Sequence, residues 1–202
     1  MFLDNERQQK QRRYEAEGRL PPGQSLTLKW PVLHEGLAPA FDPARWDFQV
    51  RGLVDDPIRL SWEEFQKLPH ISVRADFHCV TAWSKLDNEW VGVPFRVIAE
   101  MVKPLPRARY VMVDADPGYT TNVPLEDLMR DNVLFADSHA PEPLTREHGA
   151  PLRLVVPHLY AWKSAKWVRA LDFLDEDRPG YWERVGYHMY GDPFKEQRFQ
   201  GQ

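Results

Sequence analysis

Cys79 is the single cysteine of the chain and closes the run Asp76-Phe77-His78-Cys79, followed by Val80-Thr81-Ala82-Trp83-Ser84. One thiol forms no internal disulfide and no Cys-x-x-Cys metal site. On pattern alone it is a small apolar residue of a buried strand. The chemical reading is a thiolate held by a soft metal, since coordination deprotonates a thiol outright. A second chemically loaded stretch runs from Arg146 to Trp167. In it Arg153 sits inside an apolar run, and the loop Lys163-Ser164-Ala165-Lys166 follows. Two ammonium groups and a hydroxyl in a tight loop, with a guanidinium able to reach in bidentately, make a phosphate cradle. The alternative is that Lys163 and Lys166 are solvated loop charges, with Trp162 and Trp167 as core or lid aromatics.

Other chemistry is excluded by missing motifs. There is no G-x-G-x-x-G after a strand and no G-x-x-x-x-G-K-[ST]. H-E-x-x-H and G-x-S-x-G are absent too. The seven histidines, at 34, 70, 78, 139, 148, 158 and 188, show no paired metal spacing, so zinc is not expected.

The elements that must position these residues can be read coarsely. Trp46–Leu53 alternates and stops before the turn cluster Asp55-Asp56-Pro57, and Ile58–Leu60 continues as a short strand. Ser61-Trp62-Glu63-Glu64 fits a capping box, and Pro69 ends the helix it opens. Ile71–Val80 alternates, which places Cys79 at a strand end on the face of Phe77. Phe95, Ile98, Met101 and Val102 mark a second helix, and Pro124–Met129 a third. Tyr110–Val113, Leu152–Val156 and Trp167–Leu174 read as strands, with Pro157–Lys166 as the loop between the last two. There is no regular βαβ alternation. The expected class is α+β, a mixed β-rich core with short helices.

The chain has 202 residues, 43% hydrophobic and 28% charged, which is ordinary globular composition. A net charge of −4 offers no basic field for nucleic acid. No apolar run is long enough for a membrane span. Eighteen prolines and 12% aromatics favour a loop-rich fold over a helical bundle. Residues 1–25 are polar and end in Pro21-Pro22-Gly23; they read as a mobile arm or a short charged helix, with one domain over 26–202. Arg12-Arg13 resembles a twin-arginine signal, but no apolar core follows it, so a cytoplasmic location is expected.

Taken together, the two chemical stretches resemble the molybdopterin-binding domain of the sulfite oxidase superfamily, closest to its stand-alone bacterial members. DFHCVTAWSK is similar to the strand carrying the cysteine that ligates molybdenum, here Cys79. EHGAPLRLVVP is similar to the family's D-H-G-x-P-x-R block, which implies that His148 and Arg153 bind the pterin and its phosphate arm. HLYAWKSAKWV is similar to the phosphate-gripping loop, which implies roles for Ser164, Ala165 and Lys166, with Lys163 as a fourth group. Pro31-Val32-Leu33-His34 falls where members reach the pterin from the amino-terminal side, which adds His34.

The resemblance implies a molybdenum–molybdopterin cofactor, two-electron oxygen-atom transfer on a small-molecule substrate, and an external redox partner protein. Sulfite oxidases proper carry arginines just past the metal cysteine; here Ala82, Trp83, Ser84 and Lys85 stand there. A tryptophan-lined mouth of that kind, with Trp83 as a catalytic-site residue, suits an S-oxide or N-oxide better than a sulfite-like dianion. The competing reading is a non-catalytic pterin- or phosphate-ligand module that retains the fold. The cofactor reading requires one cleft joining Cys79 to Lys166.

Overall fold

The computed structural model describes residues 2–202. In chain order the elements are α1 (Phe2–Ala16), β1 (Ser25–Leu26), β2 (Asp47–Gly52), β3 (Ile58–Ser61), α2 (Trp62–Gln66), β4 (Ile71–Cys79), β5 (Trp83–Pro94) and α3 (Phe95–Val102). Then come β6 (Tyr110–Ala115), β7 (Tyr119–Pro124), α4 (Leu125–Leu128), β8 (Leu134–His139), β9 (Glu142–Pro143), β10 (Arg153–Val155), β11 (Val168–Leu174) and α5 (Tyr181–Arg184). Short 3-10 turns cover Arg146–His148, Ala161–Lys163 and Pro193–Lys195.

Two mixed sheets result. One runs β1-β5-β8-β10, with β4 also paired to β5 and β9 to β8; the other runs β3-β2-β11-β6-β7. The pairs β1–β5 and β2–β11 are parallel and the remaining pairs antiparallel. Side chains from both sheets and from α3 meet in the main core, among them Phe48, Val113, Leu171 and Phe173 from the second sheet and Val93, Phe135 and Leu154 from the first. The opposite face of the first sheet carries a smaller cluster built on Phe77, Trp90, Leu134 and Val155, with Trp30 and Trp83 packed against it. That outer face is where the chemistry-bearing residues gather.

The local rules behave as expected at several places. Ser61 caps α2 and Glu64 answers it, a reciprocal capping box. Phe95, Ile98, Ala99 and Val102 form the buried stripe of α3. Six elements have no signal in the sequence reading: β1, β5, β7, β8, β9 and α5. In β5 the two-residue period is intact, but the buried register includes Ser84 and Asn88, 0% and 1% exposed. Buried polar residues hide such a strand, because hydropathy marks a strand only when its inward side chains are apolar. Asn88 is satisfied by donating to the carbonyls of Ala75 and Lys85, and Ser84 donates to Gln24 Oε1.

The segment before residue 26 differs from a solvated arm. It is a charged helix whose far end is fastened to the hairpin of β4 and β5. The Tyr14 hydroxyl donates to Asp87 at 2.6 Å, and the Arg19 guanidinium donates to both Asp76 and Asp87 at 2.6 Å. Tyr14, Leu20, Leu26 and Leu86 form a small apolar cluster beneath these bonds. Gln24 donates to the carbonyl of Cys79. Among the described residues the segment therefore buttresses the strand end that bears the thiol, and no physical boundary falls at residue 25. Its fasteners are single residues spaced far apart, so no periodic pattern marks them.

Candidate functional site

Cys79 ends β4. The chain turns at once, with the amide of Ala82 donating to the carbonyl of Cys79 and Ala82 at φ +67°. The turn leaves the thiol at the sheet's rim, 8% exposed, with Sγ 3.1 Å from the Thr81 hydroxyl. It is not sealed in apolar packing. Cys79 lines a cavity of ≈ 330 Å³ together with Arg153, Ser164 and Lys166. That volume lies in the range of small-molecule and cofactor sites.

The cationic end of this cavity is built by backbone pairing. Arg153 on β10 and Lys166 before β11 form an antiparallel bridge, and such cross-strand partners project to one face of the sheet. Gly149 closes over the pair at φ +113°; a Cβ there would stand 3.0 Å from Arg153 Cβ and 3.3 Å from Lys166 Cβ. Only glycine combines that backbone conformation with so close an approach.

Arg153 is 1% exposed. Its Nη1 donates to the His148 carbonyl at 3.0 Å and its Nη2 to the Ser164 carbonyl at 3.2 Å, while Nε has no partner. The guanidinium lies within 6 Å of the ring centres of Trp30, Phe77 and Trp90. Among the described residues no carboxylate pairs with it, and burial pulls its pKa down to about 9. Lys166 Nζ donates to the carbonyls of Leu33 and Glu147 at 2.9 and 2.7 Å, leaving its third N–H free. Burial first, and then the charge of Arg153, bring its pKa down to about 7. A buried guanidinium and a half-buried ammonium without a counter-charge, each with an N–H left unpartnered, fit an anion such as a terminal phosphate.

The expected site residues divide as follows. Cys79, Trp83, His34, Arg153, Ser164, Ala165 and Lys166 line the one cavity. His148 does not. Its ring stacks on Trp30 at 3.8 Å between centres, and Thr145 stands at its Nδ1. Burial lowers its pKa, which favours the neutral ring suited to that stack. Trp30, not His148, meets the cavity. Lys163 is the clear correction. It is fully buried and points away, its Nζ 2.6 Å from Glu183 Oε1 and donating to the Asn122 carbonyl, Asn122 Oδ1 and the Met189 carbonyl. The 3-10 turn over Ala161–Lys163 is the reason: with three residues per turn, Trp162 and Lys163 leave the backbone in different directions. Ser164 Oγ accepts from the Val156 amide, so its hydroxyl proton remains available.

The structure adds residues that sequence reasoning passed over. Trp30, Phe77, Thr81, Tyr119, Trp182 and Tyr187 complete the wall. The last two come from the closing segment, whose density of aromatics was its one signal. Much of the cavity wall is thus aromatic. Lys85, the cation nearest Cys79 in sequence, is turned aside and donates to Asn88 Oδ1. Trp83 carries an unpartnered indole N–H.

Residues 34–182 match the family model described as oxidoreductase molybdopterin binding domain. This chain belongs to that family. Its cofactor is accordingly molybdenum–molybdopterin, and it is an oxidoreductase of the sulfite oxidase type. This molybdopterin-binding oxidoreductase is 50% identical over 191 residues to the uncharacterized oxidoreductase YuiH of Bacillus subtilis, covering 94% of this chain and 96% of that protein. It is 31% identical to the protein-methionine-sulfoxide reductase catalytic subunit MsrP of Gluconobacter oxydans, over 75% of this chain and 54% of that protein. The sulfane dehydrogenase SoxCD of Paracoccus pantotrophus shares the fold, with a TM-score of 0.63 and 25% identity over 74% of this chain and 42% of that one. The chain thus spans about half the length of these last two relatives. The α+β reading, with two mixed sheets and short helices, agrees with that neighbour. Among the described residues no cluster of three or more His, Cys, Asp or Glu is placed to hold a metal ion; the Cys79 sulfur is the thiol that lines this cavity.

Proposed function

We propose that this oxidoreductase reduces an S-oxide, with N-oxides as the next class, using electrons delivered by a separate redox partner. The observation that carries the reading is the largely aromatic wall of the cavity that Cys79 lines. Trp83, Trp162, Trp182, Tyr119 and Tyr187 line the cavity, while its cations, Arg153 and Lys166, are paired together on the β10–β11 side. A sulfite dianion calls for cations where it reacts; a neutral or zwitterionic sulfoxide is served by aromatic faces and a hydrogen-bond donor. The likeness to methionine-sulfoxide reductase subunits supports the same choice.

The bound cofactor supplies the two-electron redox centre and the site where oxygen is exchanged. The net reaction converts R₂SO, two protons and two electrons to R₂S and water. The chain's own residues hold, orient and exclude. Cys79 gives the metal its protein sulfur, and the Thr81 hydroxyl 3.1 Å away fixes where that sulfur points. Arg153, Lys166 and the Ser164 hydroxyl hold the terminal phosphate; hydrogen bonds to a charged group are worth roughly 1.5–3 kcal/mol each. Trp30, clamped by His148 and Trp90, presents its ring beside Arg153 and gives the flat pterin a surface. Trp83 presents an aromatic face to the cavity, while its indole N–H is buried without a partner. Tyr187 lines the same cavity, and burial, then Cys79, push its hydroxyl up from the usual tyrosine value, so it keeps its proton. That the methionine-sulfoxide reductase relatives are catalytic subunits supports an electron source outside this chain.

Two measurements test this. Cys79→Ser should lose the metal by elemental analysis and at least 100-fold in activity while folding normally. Steady-state assays of the holoenzyme should show methionine sulfoxide reduced with a kcat/KM at least tenfold above that for sulfite oxidation; the opposite ratio overturns the substrate assignment and leaves the cofactor assignment intact.

A further inference from the structure

We infer that the buried ion pair between Lys163 and Glu183 is a positioning device for the substrate wall, setting Trp182 and Tyr187 opposite Cys79. The inference rests on the site reading above and goes beyond it by assigning a role to two residues that never meet the cavity.

Both side chains are fully buried, 0% exposed, and lie 2.6 Å apart. An ion pair taken wholly out of water is weak as a source of stability, because desolvating two charges offsets most of their attraction. Its value lies in geometry: charges in a dry interior tolerate few alternative arrangements. Here the pair ties three separate stretches together. Lys163 Nζ holds the Asn122 carbonyl and Asn122 Oδ1 on β7, and the Met189 carbonyl of the closing segment, each within 2.8 Å. Glu183 Oε1 accepts from the Trp162 indole N–H at 2.8 Å. Asn122 Nδ2 in turn donates to Asp177 Oδ1 at 2.6 Å, and Gln200 Nε2 donates to the Glu183 carbonyl at 2.8 Å.

Each member of the pair has wall residues beside it in sequence. Lys163 lies between Trp162 and Ser164, and Glu183 follows Trp182; all three neighbours line the cavity. The rings then brace one another. Trp182 stacks on Tyr187 at 4.9 Å, and Trp162 leans on Tyr187 at 5.1 Å. The closing segment is also held by the Tyr187–Phe199 bridge and by the Tyr160 amide donating to the Gly191 carbonyl; the pair adds the fastening at Trp162 and β7, next to the wall itself. The backbone is shaped around the carboxylate as well: a Cβ at Gly180 would stand 2.7 Å from Glu183 Oε2 and 2.6 Å from the Thr120 carbonyl. At the phosphate end, Arg153 and Lys166 form no hydrogen bond with the pair and are anchored instead on the carbonyls of His148, Ser164, Leu33 and Glu147. Loss of the pair should therefore disturb substrate handling and spare cofactor retention.

The test compares holoenzymes of the parent, of Glu183→Gln, and of the double variant Lys163→Met with Glu183→Leu. The double variant leaves no unpaired charge buried, so it remains informative where a single charge removal weakens folding. Molybdenum content, the electron paramagnetic resonance spectrum of the partly reduced metal, and kcat and KM for methionine sulfoxide are read together. The expected result is about one molybdenum per chain throughout, KM raised at least tenfold in the double variant, a smaller fall in kcat, and an altered spectrum as Tyr187 shifts relative to the metal. Glu183→Gln, which keeps an acceptor for the Trp162 indole, should recover most of the parent KM. A double variant that folds, holds its metal and matches the parent in KM, kcat and spectrum overturns the inference. A parent enzyme that carries no molybdenum overturns the site reading instead, so the two failures are distinct.

Discussion

Lys166 has the most readable consequence of burial in the site. Its pKa falls to about 7 because burial and the charge of Arg153 outweigh the pull of Cys79 and Glu147. A bound phosphate favours the charged ammonium, so it must raise that pKa again. At pH 8 the cofactor-free chain therefore takes up a proton when it binds an anion. Calorimetry with inorganic pyrophosphate, run in buffers of different ionisation heats, should show uptake approaching one proton per site at pH 8. Affinity should fall by up to about tenfold per pH unit above pH ~7. Lys166→Arg should remove the uptake; uptake unchanged in that variant would place the titrating group elsewhere. His78 and His139 contribute nothing to this window, because burial holds both near pKa 4 and they stay neutral.

At the scale of elements, the site depends on how closely β5 approaches β8. A Cβ at Gly92 would stand 2.0 Å from the Phe135 carbonyl oxygen and 2.6 Å from Ala136 Cα, with backbone and no flexible side chain to yield. The ladder shifts register at the same place, between Val91 and Gly92. β5 also pairs with β4, so a displaced β5 moves the strand that ends in Cys79. Gly92→Ala should cost about 3 kcal/mol or more, at the upper end of overpacking. Gly118→Ala, at φ +88° but with nothing within 4 Å, should cost only about 1 kcal/mol. Thermal melts of the two variants check the contrast, and equal losses would mean that the close approach at Gly92 costs no more than the positive φ at Gly118. The same scale explains the reading of the loop before β11. Its composition identified a cationic loop, but only the 3-10 turn decides that Lys166 faces the cavity while Lys163 faces Glu183.

For the whole molecule, an anionic cofactor that neutralises Arg153 and Lys166 acts as a large stabilising ligand. A ligand at about 1,000 times its Kd adds about 4 kcal/mol. In a domain of this size each kcal/mol moves the melting temperature by roughly 2–4 °C. Holoenzyme should therefore melt at least about 8 °C above cofactor-free protein in the same buffer. Calorimetric melts with molybdenum content measured alongside check this, and coincident transitions would deny the cofactor any part in holding the two sheets and the closing segment together. The closing segment matters at this scale, since it supplies Trp182 and Tyr187 to the wall and its Arg198 donates to the Val80 carbonyl beside Cys79.

Much of this was legible in the order of residues. The two-residue alternation into Cys79, the Ser61–Glu64 cap, the stripe of α3 and the ordered motifs around Arg153 and Lys166 are local patterns, and local patterns carry local geometry and family membership. Folding alone decided the rest. Burial and pairing are properties of space: Ser84 and Asn88 hide in a strand, His148 serves by holding Trp30, Lys163 turns from the phosphate to Glu183, and Tyr187 arrives beside Cys79 from 108 positions away in the numbering. No spacing along the chain encodes a contact whose partners are brought together only when the sheets close.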